Sequence, residues 1–239
     1  MGVDLYVGTL TRYFAGDWKT VVQQMMETGT LSAQFKPKHE PLDPSVDRQA
    51  IQTDVDRWRA RIASRLRRPL LGRKVTEPFD WNESLGAPYF TDKPGWWGYG
   101  GLLAVALRAE GRAISDQQIS EQWVLSLLAR ALPGGRRYPH LLGSHAWLPL
   151  EIDRPFRASW PAGRSAFFGS SPGLATELKE LNERTYRAQE TELVEWRKGD
   201  GPDDLADWSL DQMARFGLAV FVEFARQAVA ERLPMLLDY

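Results

Sequence analysis

The sequence predicts an α+β protein, mostly helical, with about six helices and a small mixed sheet of three to four short strands. Two observations carry this. Apolar residues recur at three- and four-residue spacing through several long segments, the period of a helix face. Between them stand only short β-rich or alternating runs, each bounded by Gly, Pro or Ser. The 239 residues predict one globular domain over 1–239, divisible into a helical lobe at about 45–132 and a strand–helix lobe at about 145–239.

Residues 3–10 read as a strand through Val3, Leu5, Tyr6 and Val7. Asp17 and Trp18 open a short helix carrying Val21, Val22, Met25 and Met26, and Gly29 ends it. Pro37, Pro41 and Pro44 mark a loop over 30–45. From 45 to 68, Ile51, Val55, Trp58, Ile62 and Leu66 make one helical face, stopped by Pro69. Residues 75–98 are irregular and aromatic. Gly95 to Glu110 is apolar nearly all round, which predicts a buried helix. Ser115 with Gln118 caps a partner helix reaching Leu132, and Pro133-Gly134-Gly135 breaks the chain.

Residues 145–156 alternate partly, and Pro149 predicts an edge strand there. Ser165 to Phe168 is a further strand. Ser171 and Pro172 then suit the N-cap and first position of a helix through Leu174, Leu178 and Leu181. Residues 189–208 are acidic. Ser209 with Gln212 caps a last long helix faced by Met213, Phe216, Val220, Phe221, Phe224 and Ala228, and Pro234 ends it.

Composition narrows the function classes. The chain has no cysteine, which removes disulfides, thiolate metal sites and cysteine nucleophiles and fits a reducing compartment. Net charge is −1, so no global field favours a polyanion or an anionic membrane, and nucleic acid is not an expected partner. No apolar run reaches the ~20 residues that span a bilayer. Asp4 stands where a signal peptide would be apolar. These readings predict a cytoplasmic protein without a cofactor. Two biases remain: ten Trp, equal to the Phe count, and 23 Arg against seven Lys. Codon usage in a GC-rich genome would produce both. Trp, Tyr and Arg are also the residues that anchor protein interfaces.

The sequence carries fragments of several catalytic patterns. Gly169-Ser170-Ser171-Pro172-Gly173 matches a nucleophile elbow in letters. Pro172 has no N–H for an oxyanion hole, however, and His39, His140 and His145 all lie upstream of it. No lysine follows to make the run a phosphate loop. His140, His145, Glu151 and Asp153 would hold a metal only if the fold brought them together, since their spacing matches no metal motif.

Two stretches point to binding. Arg57, Arg61, Arg65 and Arg68 share the helical face opposite the apolar one, within a run that continues to Arg73 and Lys74. This is either a patch for an acidic partner, a solvated face, or a complement to the acidic segment from Glu190 to Asp211. Trp96 and Trp97 are adjacent, with Tyr99 close by. Neighbours at a helix start diverge by about 100°, so one core cannot take both directly. Trp96, Trp97, Tyr99, Arg57, Arg61, Arg65 and Arg68 are the candidate contact residues.

The run from Trp147 to Phe156, followed by Phe168 to Leu178, and the start Met1 to Tyr6, resemble small uncharacterised bacterial proteins. Some of these are similar to immunity proteins that neutralise antibacterial toxins. The resemblance covers about 35 residues, implies a protein partner, and carries over no catalytic residue. The expectation is therefore a non-enzymatic protein-binding protein of immunity type. Two alternatives stand beside it. One is a hydrolase, with or without a metal, using Asp4, His145, Glu151 or Asp153. The other is a small-ligand binder with an aromatic pocket near Trp96 and Trp147.

Overall fold

A computed structural model of the chain describes residues 2–28, 46–67, 79–114, 122–124, 126, 137–161, 163–198 and 208–239. The loop expected at 30–45, Arg68, the cap Ser115–Gln118 and the break at Pro133 lie outside these residues. Chain order is β1 (Asp4–Val7), α1 (Leu10–Ala15), α2 (Val21–Thr28), α3 (Arg48–Leu66), β2 (Phe90–Asp92), α4 (Gly95–Ala109), α5 (Pro139–Leu142), β3 (Ala146–Leu148), β4 (Phe156–Ser159), β5 (Ser165–Ser170), α6 (Ser171–Thr185), α7 (Glu190–Lys198), α8 (Leu210–Ala230) and β6 (Met235–Asp238). The α+β class with helices predominating holds. Eight helices and six strands are delimited among the described residues, more of each than the sequence predicts.

The six strands form one mixed sheet in the order β2-β1-β6-β3-β5-β4. Only β3 and β5 run parallel, with Leu148 opposite Ser170. β6 lies between β1 and β3, and Leu236 faces both Tyr6 and Ala146. The edge position predicted for β3 is therefore corrected. Pro149 falls just past the end of the strand, where its missing N–H removes no ladder bond, and β3 is interior.

Strand alternation divides the core in two. Leu5, Val7, Met235, Leu237 and Trp147 face α4, α6 and α8. Tyr6, Leu236, Ala146 and Phe168 face the other way, under α1 and α3. The helices at 48–66 and 95–109 thus lie on opposite sides of the sheet. On the first side, α4 and α8 approach through small residues at matching spacing. A β-carbon on Gly101 would come within 2.6 Å of the Ala214 nitrogen, and one on Gly217 would strike the Gly98 carbonyl. On the second side, Val55, Trp58, Ile62 and Leu66 of α3 are buried against aromatic rings. Asp47 caps this helix by accepting from the Ala50 N–H. Arg48 forks onto Asp17 at 2.6 and 2.5 Å, which fixes where the helix begins.

Candidate interaction surfaces

Gly95 opens α4 at φ +63°, a backbone setting that favours glycine, and the Trp97 ring lies over the place a β-carbon would need. The two tryptophans then part. Trp97 packs on Trp208 and Phe216, both at 4.9 Å between ring centroids, toward α8. Trp96 turns to the sheet and meets Tyr239 at 5.4 Å. Both are half-buried. Tyr99 is 1% exposed and stacks on Phe221, so it belongs to the core rather than to a surface.

The contact between Trp96 and Tyr239 continues across the strands. Tyr239, 57% exposed, lies 6.4 Å from the His145 ring, and His145 lies 6.5 Å from Phe167. His145 is held there by its backbone. Its N–H donates to the Phe167 carbonyl, and its carbonyl accepts from the Leu237 N–H, both at 3.0 Å. Trp96, Tyr239, His145 and Phe167 thus form a row of rings across one end of the sheet, each at least partly accessible. Burial lowers the His145 pKa, so its imidazole is uncharged at neutral pH. The Trp96 Nε1–H is buried and has no acceptor among the described residues.

Arg57, Arg61 and Arg65 are exposed on the outer side of α3. Arg57 pairs with Asp54 at 2.8 Å, both side chains well exposed, which is worth at most about 1 kcal/mol. Among the described residues neither Arg61 nor Arg65 has an ion pair. Arg59 leaves the stripe to reach Asp56 and Asp80 and to lie over the Trp81 ring. Between α3 and the turn joining β4 to β5 runs an open groove of about 530 Å³, lined by Asp54, Arg57, Ala60, Arg61 and Pro161.

The candidate hydrolytic residues do not meet in one place. His145 and Asp4 lie toward one end of the sheet, where β3 and β1 begin. Glu151 and Asp153 are exposed beyond the other end of β3. Of the four candidate metal ligands, Asp153 acts electrostatically on His140. The His140 ring is already used: its Nδ1 accepts from the Ser170 N–H at 3.2 Å, and it bonds the Ile152 backbone. Burial lowers its pKa to about 4. Among the described residues no group of three His, Asp or Glu could hold a metal ion. Asp4 stands directly opposite Asp238, and burial raises its pKa.

The glycine–serine run is a helix junction displaced by one residue from the sequence reading. Ser170, not Ser171, is the N-cap: its Oγ accepts from the Gly173 N–H at 2.9 Å and donates to the Leu150 carbonyl at 2.7 Å. The strand stays extended through Ser170, so the cap falls there, and Ser171 is 0% exposed inside the first turn.

Two buried carboxylates had no sequence signal. Glu83 accepts from the Leu10 and Thr11 N–H groups at the start of α1, and from Trp81 Nε1–H at 2.7 Å. Glu177 accepts from the His140 and Leu141 N–H groups at the start of α5. Each fills the unsatisfied donors of a short helix from elsewhere in the chain. Burial raises both pKa values, Glu177 to about 8. Tyr239, His145 and Phe167 were equally invisible as a group, because strands distant in sequence bring them together.

No helix among the described residues is long and apolar enough to cross a membrane. The chain matches no protein-family model, no curated protein and no solved structure.

Proposed function

We propose that this chain is a non-enzymatic, cytoplasmic binding protein that docks a protein partner on the row Trp96–Tyr239–His145–Phe167, as an immunity-type inhibitor docks a toxin. The observation that supports this is the row itself. Four accessible rings lie in sequence 5.4 to 6.5 Å apart, and their backbones are fixed by a helix start and by strand pairing. Rigid aromatic side chains lose little entropy on contact, and Trp and Tyr dominate interface energetics for that reason. An uncharged imidazole among them keeps the desolvation cost low. The absence of cysteine supports the cytoplasmic part of the reading.

The test is affinity capture from the source lysate with tagged wild-type chain and a Trp96→Ala/Tyr239→Ala variant, with quantitative mass spectrometry. The expected result is one protein retained near stoichiometry by the wild type and depleted at least about tenfold by the variant, equivalent to about 1.4 kcal/mol. Equal retention by both, or no protein above the blank resin, overturns the proposal.

A further inference from the structure

Helix α3 carries five arginines against two aspartates between Arg48 and Leu66, in a chain whose net charge is −1. The sequence left open that this excess is met internally by the acidic segment. The described part of that segment is on the other side of the sheet. Glu190, Glu192 and Glu195 belong to α7, whose Leu193 and Trp196 pack with the α4–α8 core, whereas α3 covers the opposite core. Glu195 pairs with Lys198 and Asp211 with Arg215, within their own helices. Arg61 and Arg65 therefore face solvent away from these acids.

Their spacing is specific. Arg57, Arg61 and Arg65 stand four residues apart, so their attachment points rise about 6 Å per step along the helix. A second helix with carboxylates at every fourth position presents the opposite charge at the same interval. The groove beside them has an apolar part, Ala60 and Pro161, and one acid, Asp54. A carboxylate at the groove works against a phosphate backbone, which repels it at every position, but not against a protein helix of mixed charge. Three accessible arginines also release few counterions, too few to hold a polyanion strongly.

We infer that the Arg57–Arg61–Arg65 face of α3 and the groove toward Pro161 form a second docking surface, and that its occupant is an acidic helical segment of a protein. The inference deepens the protein-binding reading and rests on it. The row at Trp96 would supply apolar anchorage, and the arginine face would supply charge matching and orientation.

The probe is a fluorescein-labelled, Ala-rich helical peptide of about 18 residues with Glu at every fourth position, long enough to hold a helix in water. Fluorescence anisotropy is read at low salt and at about 0.3 M, where exposed charges are screened within a few Å. Arg61→Glu/Arg65→Glu is expected to weaken binding about tenfold or more, and salt to weaken binding to the wild type. Lys179→Glu/Arg184→Glu, two exposed sites on α6 with the same total charge change, is expected to leave the affinity within about twofold. Both variants keep the wild-type melting temperature, because neither site is buried. An unbound peptide, an equal loss in Lys179→Glu/Arg184→Glu, or tighter binding of a single-stranded oligonucleotide of equal charge overturns the surface. The two proposals fail separately. A lysate partner lost with Trp96 while the peptide ignores Arg61 leaves the protein-binding reading standing without this surface. An Arg61-dependent peptide with no protein partner in the lysate leaves the surface without that reading.

Discussion

The two sides of the sheet solve the same burial problem differently. On one side α4 and α8 touch backbone to backbone through Gly98, Gly101, Ala214 and Gly217, and aliphatic side chains mixed with rings such as Tyr99, Trp147, Phe221 and Phe224 fill the rest. On the other, α1 and α3 stand off on a layer of rings: Tyr6, Tyr13, Trp18, Trp58, Trp160 and Phe168. Each side buries one tryptophan completely and gives its Nε1–H a carbonyl, Ser159 for Trp58 and His140 for Trp147. Close approach makes the first side intolerant of added atoms. The aromatic side depends instead on keeping the atoms it has, and it leaves the outer face of α3 free for charge.

Removing a ring should therefore cost most. Trp58→Ala is expected to lower stability by about 3–5 kcal/mol in denaturant unfolding, from lost contacts, a cavity and an unpaired Ser159 carbonyl. A loss below about 1 kcal/mol would mean that the aromatic layer is a covering rather than a core. Adding a methyl should cost next. Gly217→Ala is expected to lose about 1–3 kcal/mol by forcing α8 off the Gly98 carbonyl. Gly86→Ala meets open space and should stay within about 0.5 kcal/mol. Similar losses at both positions would mean that the close approach of α4 and α8 is not what limits added atoms there.

The buried carboxyl of Glu177 sharpens the comparison through pH. Its folded pKa is raised to about 8, above the ordinary carboxyl value, so the folded state holds a proton that the unfolded state has released. Stability from this group is present at low pH and declines as pH rises through 8. His140, lowered to about 4, acts oppositely and only below about pH 6.5. Between pH 6.5 and 8 the wild type should lose up to about 1.4 kcal/mol per pH unit, and Glu177→Gln should flatten that slope. A slope unchanged in the variant assigns the effect elsewhere. A smaller loss is expected at the strand–helix junction. Ser170→Ala should cost about 1 kcal/mol through loss of the cap, measured by thermal melting. Ser171→Ala should cost less, since its buried Oγ has no partner among the described residues.

Long periodic elements were legible. The heptad-like face from Ile51 to Leu66 became α3, and the Ser209–Gln212 box caps α8 with both of its reciprocal bonds. The apolar run after Gly95 is α4, although its reason for being glycine-rich appears only against α8. Three strands were not readable. β2, β4 and β6 have three or four residues each, too few to show alternation, and their strand state comes from the partners beside them. Helix α7 was hidden in an acidic run, where only Leu193 and Trp196 pack inward. The divergence of Trp96 and Trp97 followed from helix geometry, but Trp96's neighbours Tyr239, His145 and Phe167 depend on sheet order. Sheet order has no local signal. The arginine stripe was visible from spacing alone, whereas its separation from Glu190, Glu192 and Glu195 required knowing which side each helix covers.

The position of β6 has a kinetic consequence. Residues 235–238 form the seam between a β1–β2 pair and a β3–β5–β4 group, so before they dock the sheet is two unconnected pieces with raw inner edges. Zipping residue 4 to residue 238 closes a loop of more than two hundred residues, a high-contact-order step that slows folding and exposes sticky intermediates. Clipping that short strand should leave both pieces helically decorated yet prone to self-association through the vacated slot.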